Sequence, residues 1–255
     1  MSHQTHPYHL VNPSPWPALA SLAMFTGTFG GAMYMHGKPG GGFLVMIAFA
    51  VVLYTMYVWW RDVIKEAHVD KAHTSAVSRG LRFGMALFIT SEVLFFAAFF
   101  WAFFNASTLP KEALTDTWAI ADGIWPPKGI APFNPWELPF LNTLILLLSG
   151  STVTWAHYAI LQNDRKGTIQ ALWYTVILGA IFTACQAFEY SHASFGFKDG
   201  IYASTFYMAT GFHGFHVLVG TIFLGVCLAR AYKNHFTADK HLGFEFAAWY
   251  WHFVD

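Results

Sequence analysis

Glu92 is the residue best placed to do chemistry. It sits in Phe88-Ile-Thr-Ser-Glu-Val-Leu-Phe-Phe-Ala-Ala-Phe-Phe-Trp101, a stretch with little other polarity. A helix over residues 80–105 places it roughly 18 Å in, at ~1.5 Å per residue. That is near the middle of a ~30 Å hydrocarbon layer. An ionisable group there costs a few kcal/mol or more, so it demands a partner, a proton or a function. Its neighbours on the same helix face, Phe88, Ile89, Phe95 and Phe96, supply no charge to offset it.

The histidines invite a metal reading. Glu189-Tyr-Ser-His192 is a Glu-x-x-His unit, the i, i+3 pair that di-iron bundles place on one helix face. Such a site needs a second unit and two further carboxylates, and the sequence has no second unit. Glu66 and His68 are two residues apart, a spacing that points them in different directions on a helix. His213-Gly-Phe-His216 puts two imidazoles at i, i+3 in an apolar run, where they could ligate a metal or one could ligate a haem. The simpler reading is hydrogen bonding across helix contacts, with Gly211, Gly214 and Gly220 allowing close approach. His157 reads the same way, and His3, His6 and His9 read as a solvated tail. No Gly-x-Ser-x-Gly and no phosphate-cradling glycine loop is present.

The elements that must hold these residues are membrane helices. The chain is 55% hydrophobic, 19% aromatic and 11% charged, where a soluble domain carries about 25% charged residues. Zero formal net charge excludes a basic field for nucleic acid. Cys185 and Cys227 lie in apolar runs and read as small hydrophobes. The N-terminus shows neither an Arg-rich amphipathic stretch nor a signal core, which predicts synthesis in a bacterium or an organelle with its own genome.

Seven apolar segments predict an all-α polytopic membrane protein, read as a single domain over 1–255. The spans fall near 16–35, 42–60, 80–105, 138–161, 168–190, 201–229 and 243–255. The seventh is shorter than the ~20 residues a bilayer requires, so it reads as truncated or completed by something else. Loops on the side of the N-terminus carry nine Lys and Arg against four on the other, Lys38, Lys111, Lys128 and Lys198. That bias predicts the N-terminus inside. Trp16, Trp59, Trp60 and Trp136 fall at span ends, where indole rings prefer to sit. The long outer loop, 106–137, is rich in proline and reads as a packed cap or docking surface. A basic and aromatic edge closes the inner side: Trp59-Trp-Arg-Asp62, His73, Arg230 and Lys233. Such clusters suit anionic lipid headgroups, and positive-inside anchoring alone accounts for any one of them.

The chain resembles subunit III of the haem-copper cytochrome c oxidases. The resemblance rests on Tyr8-His-Leu-Val-Asn-Pro-Ser-Pro-Trp-Pro17, Trp59-Trp-Arg-Asp62, Phe88-Ile-Thr-Ser-Glu-Val-Leu-Phe-Phe96 and Gly123-Ile-Trp-Pro-Pro-Lys-Gly-Ile130. It continues through Leu141-Asn-Thr-Leu-Ile-Leu-Leu-Leu-Ser149, Thr154-Trp-Ala-His157, Glu189-Tyr-Ser-His192, Phe206-Tyr-Met-Ala-Thr-Gly-Phe-His-Gly-Phe-His216, Gly243-Phe-Glu245 and Ala248-Trp-Tyr-Trp-His-Phe-Val-Asp255.

The resemblance implies seven transmembrane helices in two bundles, helices one and two against three to seven, separated by a V-shaped cleft that holds phospholipid. It implies a chain with no redox metal of its own and with no catalytic residue. Haem a, haem a3 and copper then lie in partner subunits, with subunits I and II and any accessory subunits completing the oxidase. The implied role is to keep subunit I active while electrons pass from cytochrome c to O2, and to support proton uptake into its D pathway. The family's carbodiimide-reactive carboxylate matches Glu92, protonated or paired with lipid and polar groups of neighbouring helices. Its lipid-headgroup residues match Trp60, Lys65, His73, Arg230 and Lys240, with Lys65 and Lys240 standing where Arg and His are common. Implied locations are the mitochondrial inner membrane or the bacterial cytoplasmic membrane. The chain departs from the family in stopping inside the seventh helix, and its loop over 109–122 is longer than in animal mitochondrial members. Two readings of other classes remain: a self-sufficient metalloenzyme built on Glu189, His192, His213 and His216, and a proton or lipid transporter built on Glu92.

Overall fold

Long apolar runs with few breakers fold into seven helices in the computed structural model, which describes residues 6–8, 10, 13–108, 125–127 and 129–255. They are α1 Trp16–Met35, α2 Gly41–His68, α3 Ser75–Thr108, α4 Leu138–Leu161, α5 Arg165–Ser191, α6 Ile201–Tyr232 and α7 Leu242–Val254. Among the described residues no strand is formed, and α2 to α6 are long and apolar enough to cross a membrane. Lys111, Lys128, His3 and His9 lie outside the described residues.

Several helices outrun their apolar runs. α2 continues past Trp60 to His68, carrying Arg61, Asp62 and Lys65 on regular helix. Arg, Lys, Glu and Ala propagate a helix once it is nucleated, so hydropathy marks where the membrane would end and not where the helix ends. α3 begins at Ser75 because the Thr74 hydroxyl accepts the Val77 N–H at 3.3 Å, an N-cap ahead of the apolar stretch. α5 likewise begins at Arg165, capped by the Asp164 carboxylate on the Gly167 N–H at 3.0 Å.

The chain divides into two compact units, 1–81 and 82–255, with the division in the first turns of α3. In the first unit α1 and α2 form a hairpin turned at Gly37 and Gly40, whose φ values are +67° and +84°. A side chain at Gly30 would stand 2.7 Å from Leu44 Cβ, and one at Gly41 would run into the Tyr34 backbone. These absent side chains let the two backbones approach closely. At the far end of the hairpin the Trp16 indole N–H donates to the Asp62 carboxylate at 2.8 Å.

In the second unit α4, α5, α6 and α7 share one core, with Val153, Leu172, Val217, Leu224, Phe244 and Trp251 almost fully enclosed. Trp251 is its keystone. Its indole N–H donates to Ser149 Oγ at 3.0 Å. Its ring lies against Gly220 and Gly179, where an added Cβ would stand 2.8 Å from ring carbons. α3 joins this unit through side chains: Phe88 stacks on Tyr250 and Phe95 meets Phe212 edge-on.

Candidate functional site

Glu92 has a partner. Its Oε2 lies 2.8 Å from His216 Nε2, and the two side chains are only 20% and 10% exposed. α3 supplies the carboxyl and α6 the imidazole, 124 positions apart in sequence. The other ring nitrogen, His216 Nδ1, donates to the Phe212 carbonyl at 2.6 Å. A carbonyl only accepts, so Nδ1 carries a proton. Two states remain: Glu92 protonated and donating to neutral His216, or carboxylate facing imidazolium. Each is neutral overall, which relieves the charge that made Glu92 expensive. The rings of Phe95, Phe96 and Tyr250 surround the imidazole. A cleft of about 510 Å³ runs alongside, lined by Val93, Phe96, Phe100, Ala209 and Phe253 with His216.

His213 points elsewhere. Its Nε2 donates to the Val254 carbonyl at 3.1 Å, and its ring meets Phe182 edge-on. Its ring and that of His216 take different partners. Of the three glycines expected to ease helix approach, Gly220 does so, against Trp251 and Tyr250, while Gly211 faces open space and Gly214 has only Gln186 at 4.0 Å. The Glu189-x-x-His192 unit also comes apart. α5 ends at Ser191, and His192 turns out of the helix with φ −108°. Its Nδ1 lies 3.0 Å from the Phe188 carbonyl and its ring covers Phe188 at 4.1 Å. Glu189 is buried and lines a cavity of about 390 Å³ with Asn142, Thr210 and His213. His157 packs against His241 and Phe244. Among the described residues no three His, Cys, Asp or Glu converge as a metal-holding group.

The headgroup candidates divide between the two units. Trp60 and Lys65 are exposed on α2, and His73 follows in the short connection to α3. Arg230 closes α6. Its Nε is buried without a hydrogen-bond partner among the described residues, and its guanidinium carbon sits 4.7 Å over the Phe236 ring. Gly243 leaves room for one of its amino groups. Lys240 is exposed in the turn before α7, where its backbone pairs with Thr237. A second ionic contact went unread in sequence. Arg82 grips Glu245 with two bonds, Nε to Oε1 at 3.0 Å and an amino group to Oε2 at 2.8 Å. Counting residues places Glu92 ten beyond Arg82 and His216 14 before Arg230 at the end of α6, but it does not say which helices meet.

A helical protein with apolar spans and a charge-balanced carboxyl–imidazole pair among aromatic rings is a polytopic membrane protein. The chain belongs to the cytochrome c oxidase subunit III family, whose model matches residues 6–255. It is 58% identical to cytochrome c oxidase subunit 3 of Prototheca wickerhamii, over 98% of this chain and 93% of that one. It is 57% identical to the subunit 3 of Chondrus crispus, over 99% and 90%. It is 53% identical to the probable subunit 3 of Rickettsia felis, over 99% and 91%. It is thus a membrane-embedded subunit of the respiratory oxidase.

Proposed function

We propose that this chain is the non-redox subunit of its oxidase, with haem a, haem a3 and copper held by subunits I and II. It supports subunit I while electrons pass from cytochrome c to O2 with proton pumping, and it favours proton uptake into the D pathway. Its N-terminus lies on the matrix or cytoplasmic side. Helices one and two form one bundle and three to seven another, within a single membrane domain, and phospholipid fills the cleft between them. Trp60, Lys65, His73, Arg230 and Lys240 hold the headgroups, and Glu92 is the buried functional carboxylate.

One observation carries the lipid part of this reading. Arg230 is a cation at a helix end with a buried Nε that has no partner among the described residues and an aromatic ring beneath it. A buried donor without a partner costs about 1–3 kcal/mol, and a phosphate oxygen is the acceptor best matched to a guanidinium. Arg230→Ala in the intact oxidase should lower the anionic phospholipid retained after detergent purification, counted by native mass spectrometry. Unchanged lipid counts would remove Arg230 from the headgroup site. The non-redox part is tested by stripping this chain from the complex: haem absorbance and copper content should stay with the remaining subunits.

A further inference from the structure

The last turn of α4 meets the first turn of α7, and two imidazoles stand together there. His157 lies four residues before the end of α4, and His241 is the residue that opens α7. Their ring centres are 5.4 Å apart with planes at 65°. His241 Nδ1 donates to the Thr237 carbonyl at 3.0 Å. A carbonyl only accepts, so in the neutral ring Nε2 keeps its lone pair. A backbone carbonyl on the far nitrogen is also what fixes the ring of a metal-binding histidine. His157 is half-buried against Phe244, and its ring makes no hydrogen bond among the described residues. Its lone pair is therefore uncommitted as well.

The spacing fits two imidazoles on one ion. A zinc–nitrogen bond of about 2.1 Å puts each ring centre about 3.2 Å from the metal, and a tetrahedral angle then sets the two centres about 5.2 Å apart. Glu245 follows His241 by four residues, on the same face of α7. Arg82 bonds to both of its oxygens, but each oxygen has a further lone pair that can accept from a metal-bound water. Among the described residues no third His, Cys, Asp or Glu completes a metal-holding group with these two rings. Water therefore fills the other positions, which makes the site exchangeable. Imidazole nitrogen selects zinc or copper over magnesium and calcium, which require oxygen.

We propose that His157 and His241 form a binding site for a divalent transition-metal ion, Zn2+ foremost, at the junction of α4 and α7. The ion is not a redox centre. It ties the start of α7 to the end of α4, and it goes beyond the role proposed above.

The test treats the intact, chelator-washed oxidase with diethylpyrocarbonate, which acylates neutral imidazole nitrogen, in the presence and absence of Zn2+. Peptide mass spectrometry should show modification of both His157 and His241 lowered roughly fivefold by Zn2+. Mg2+ should give no protection, and exposed His36 should react equally throughout. His157→Gln should abolish the protection of His241, and His241→Gln that of His157, because neither ring holds the ion alone. Modification indifferent to Zn2+, equal protection by Mg2+, or no reaction at either histidine without metal overturns the proposal. Protection that survives in the single variants overturns it as well. The unsubstituted oxidase supplies the first comparison, so the test stands even where a variant fails to assemble.

Discussion

Glu92 and His216 share one proton across a 2.8 Å contact inside an aromatic enclosure. Because His216 Nδ1 is committed to the Phe212 carbonyl, the shared proton sits either on the carboxyl or on Nε2. The pair can therefore move a proton between its members without changing its net charge. That property suits a site held within hydrocarbon, where a change of net charge is the costly step.

Removing one partner should cost more than removing both. Glu92→Ala or His216→Leu strands a buried polar group, with an expected loss of about 1–3 kcal/mol. Glu92→Gln keeps a donor for Nε2 and should cost less. Glu92→Leu with His216→Leu should recover part of the single-variant loss, as apolar pairs often do. Thermal unfolding of the purified oxidase, arranged as a double-mutant cycle, reads the coupling. Additive losses would mean that the contact contributes nothing.

Glu92 should react with an apolar carbodiimide ahead of Glu245. The reagent needs a protonated carboxyl, which one state of the Glu92 pair supplies, and the cleft beside the pair gives it an apolar approach. Glu245 instead accepts two hydrogen bonds from the Arg82 guanidinium, which cover both of its oxygens. Peptide mass spectrometry of the labelled complex separates the two sites. Equal labelling, or none at Glu92, would place the shared proton on His216.

The helices were legible because the apolar runs are long and their breakers few. Glu92 was legible as a cost, since depth along a helix follows from counting residues. Its partner was not, because the pairing of α3 with α6 is a tertiary fact that no periodicity within either helix encodes. The i, i+3 spacings at Glu189 and His213 suggested shared ligands, yet helix termination at Ser191 and the opposite aims of His213 and His216 separate them. Helix ends ran past the hydropathy borders because caps at Thr74 and Asp164 and good helix formers after Trp60 act without regard to membrane thickness.

Arg82→Lys should weaken the hold of α3 on α7. The guanidinium makes two parallel bonds that a single ammonium cannot reproduce. Arg82 is half-exposed, so the expected loss is about 1 kcal/mol, and salt should reduce it. Hydrogen exchange in the first turns of α7 should rise in the variant. Unaltered exchange there would show that ring contacts alone hold α3 in place.

Gly220→Ala tests the packing of Trp251. The new Cβ would stand 2.8 Å from the Trp251 ring and 3.3 Å from Tyr250, closer than van der Waals contact allows. The ring cannot retreat freely, because its N–H is held by Ser149 and its far edge meets Gly179. Overpacking of this kind costs typically 1–3 kcal/mol. Gly211→Ala on the same helix meets nothing within 4 Å and should be neutral or slightly stabilising, since alanine is the better helix former. Melting temperatures of the two variants in the same complex should therefore move apart, with Gly220→Ala the lower. Equal values would mean that α7 can shift to accommodate the methyl group, and that Trp251 is less fixed than its contacts require.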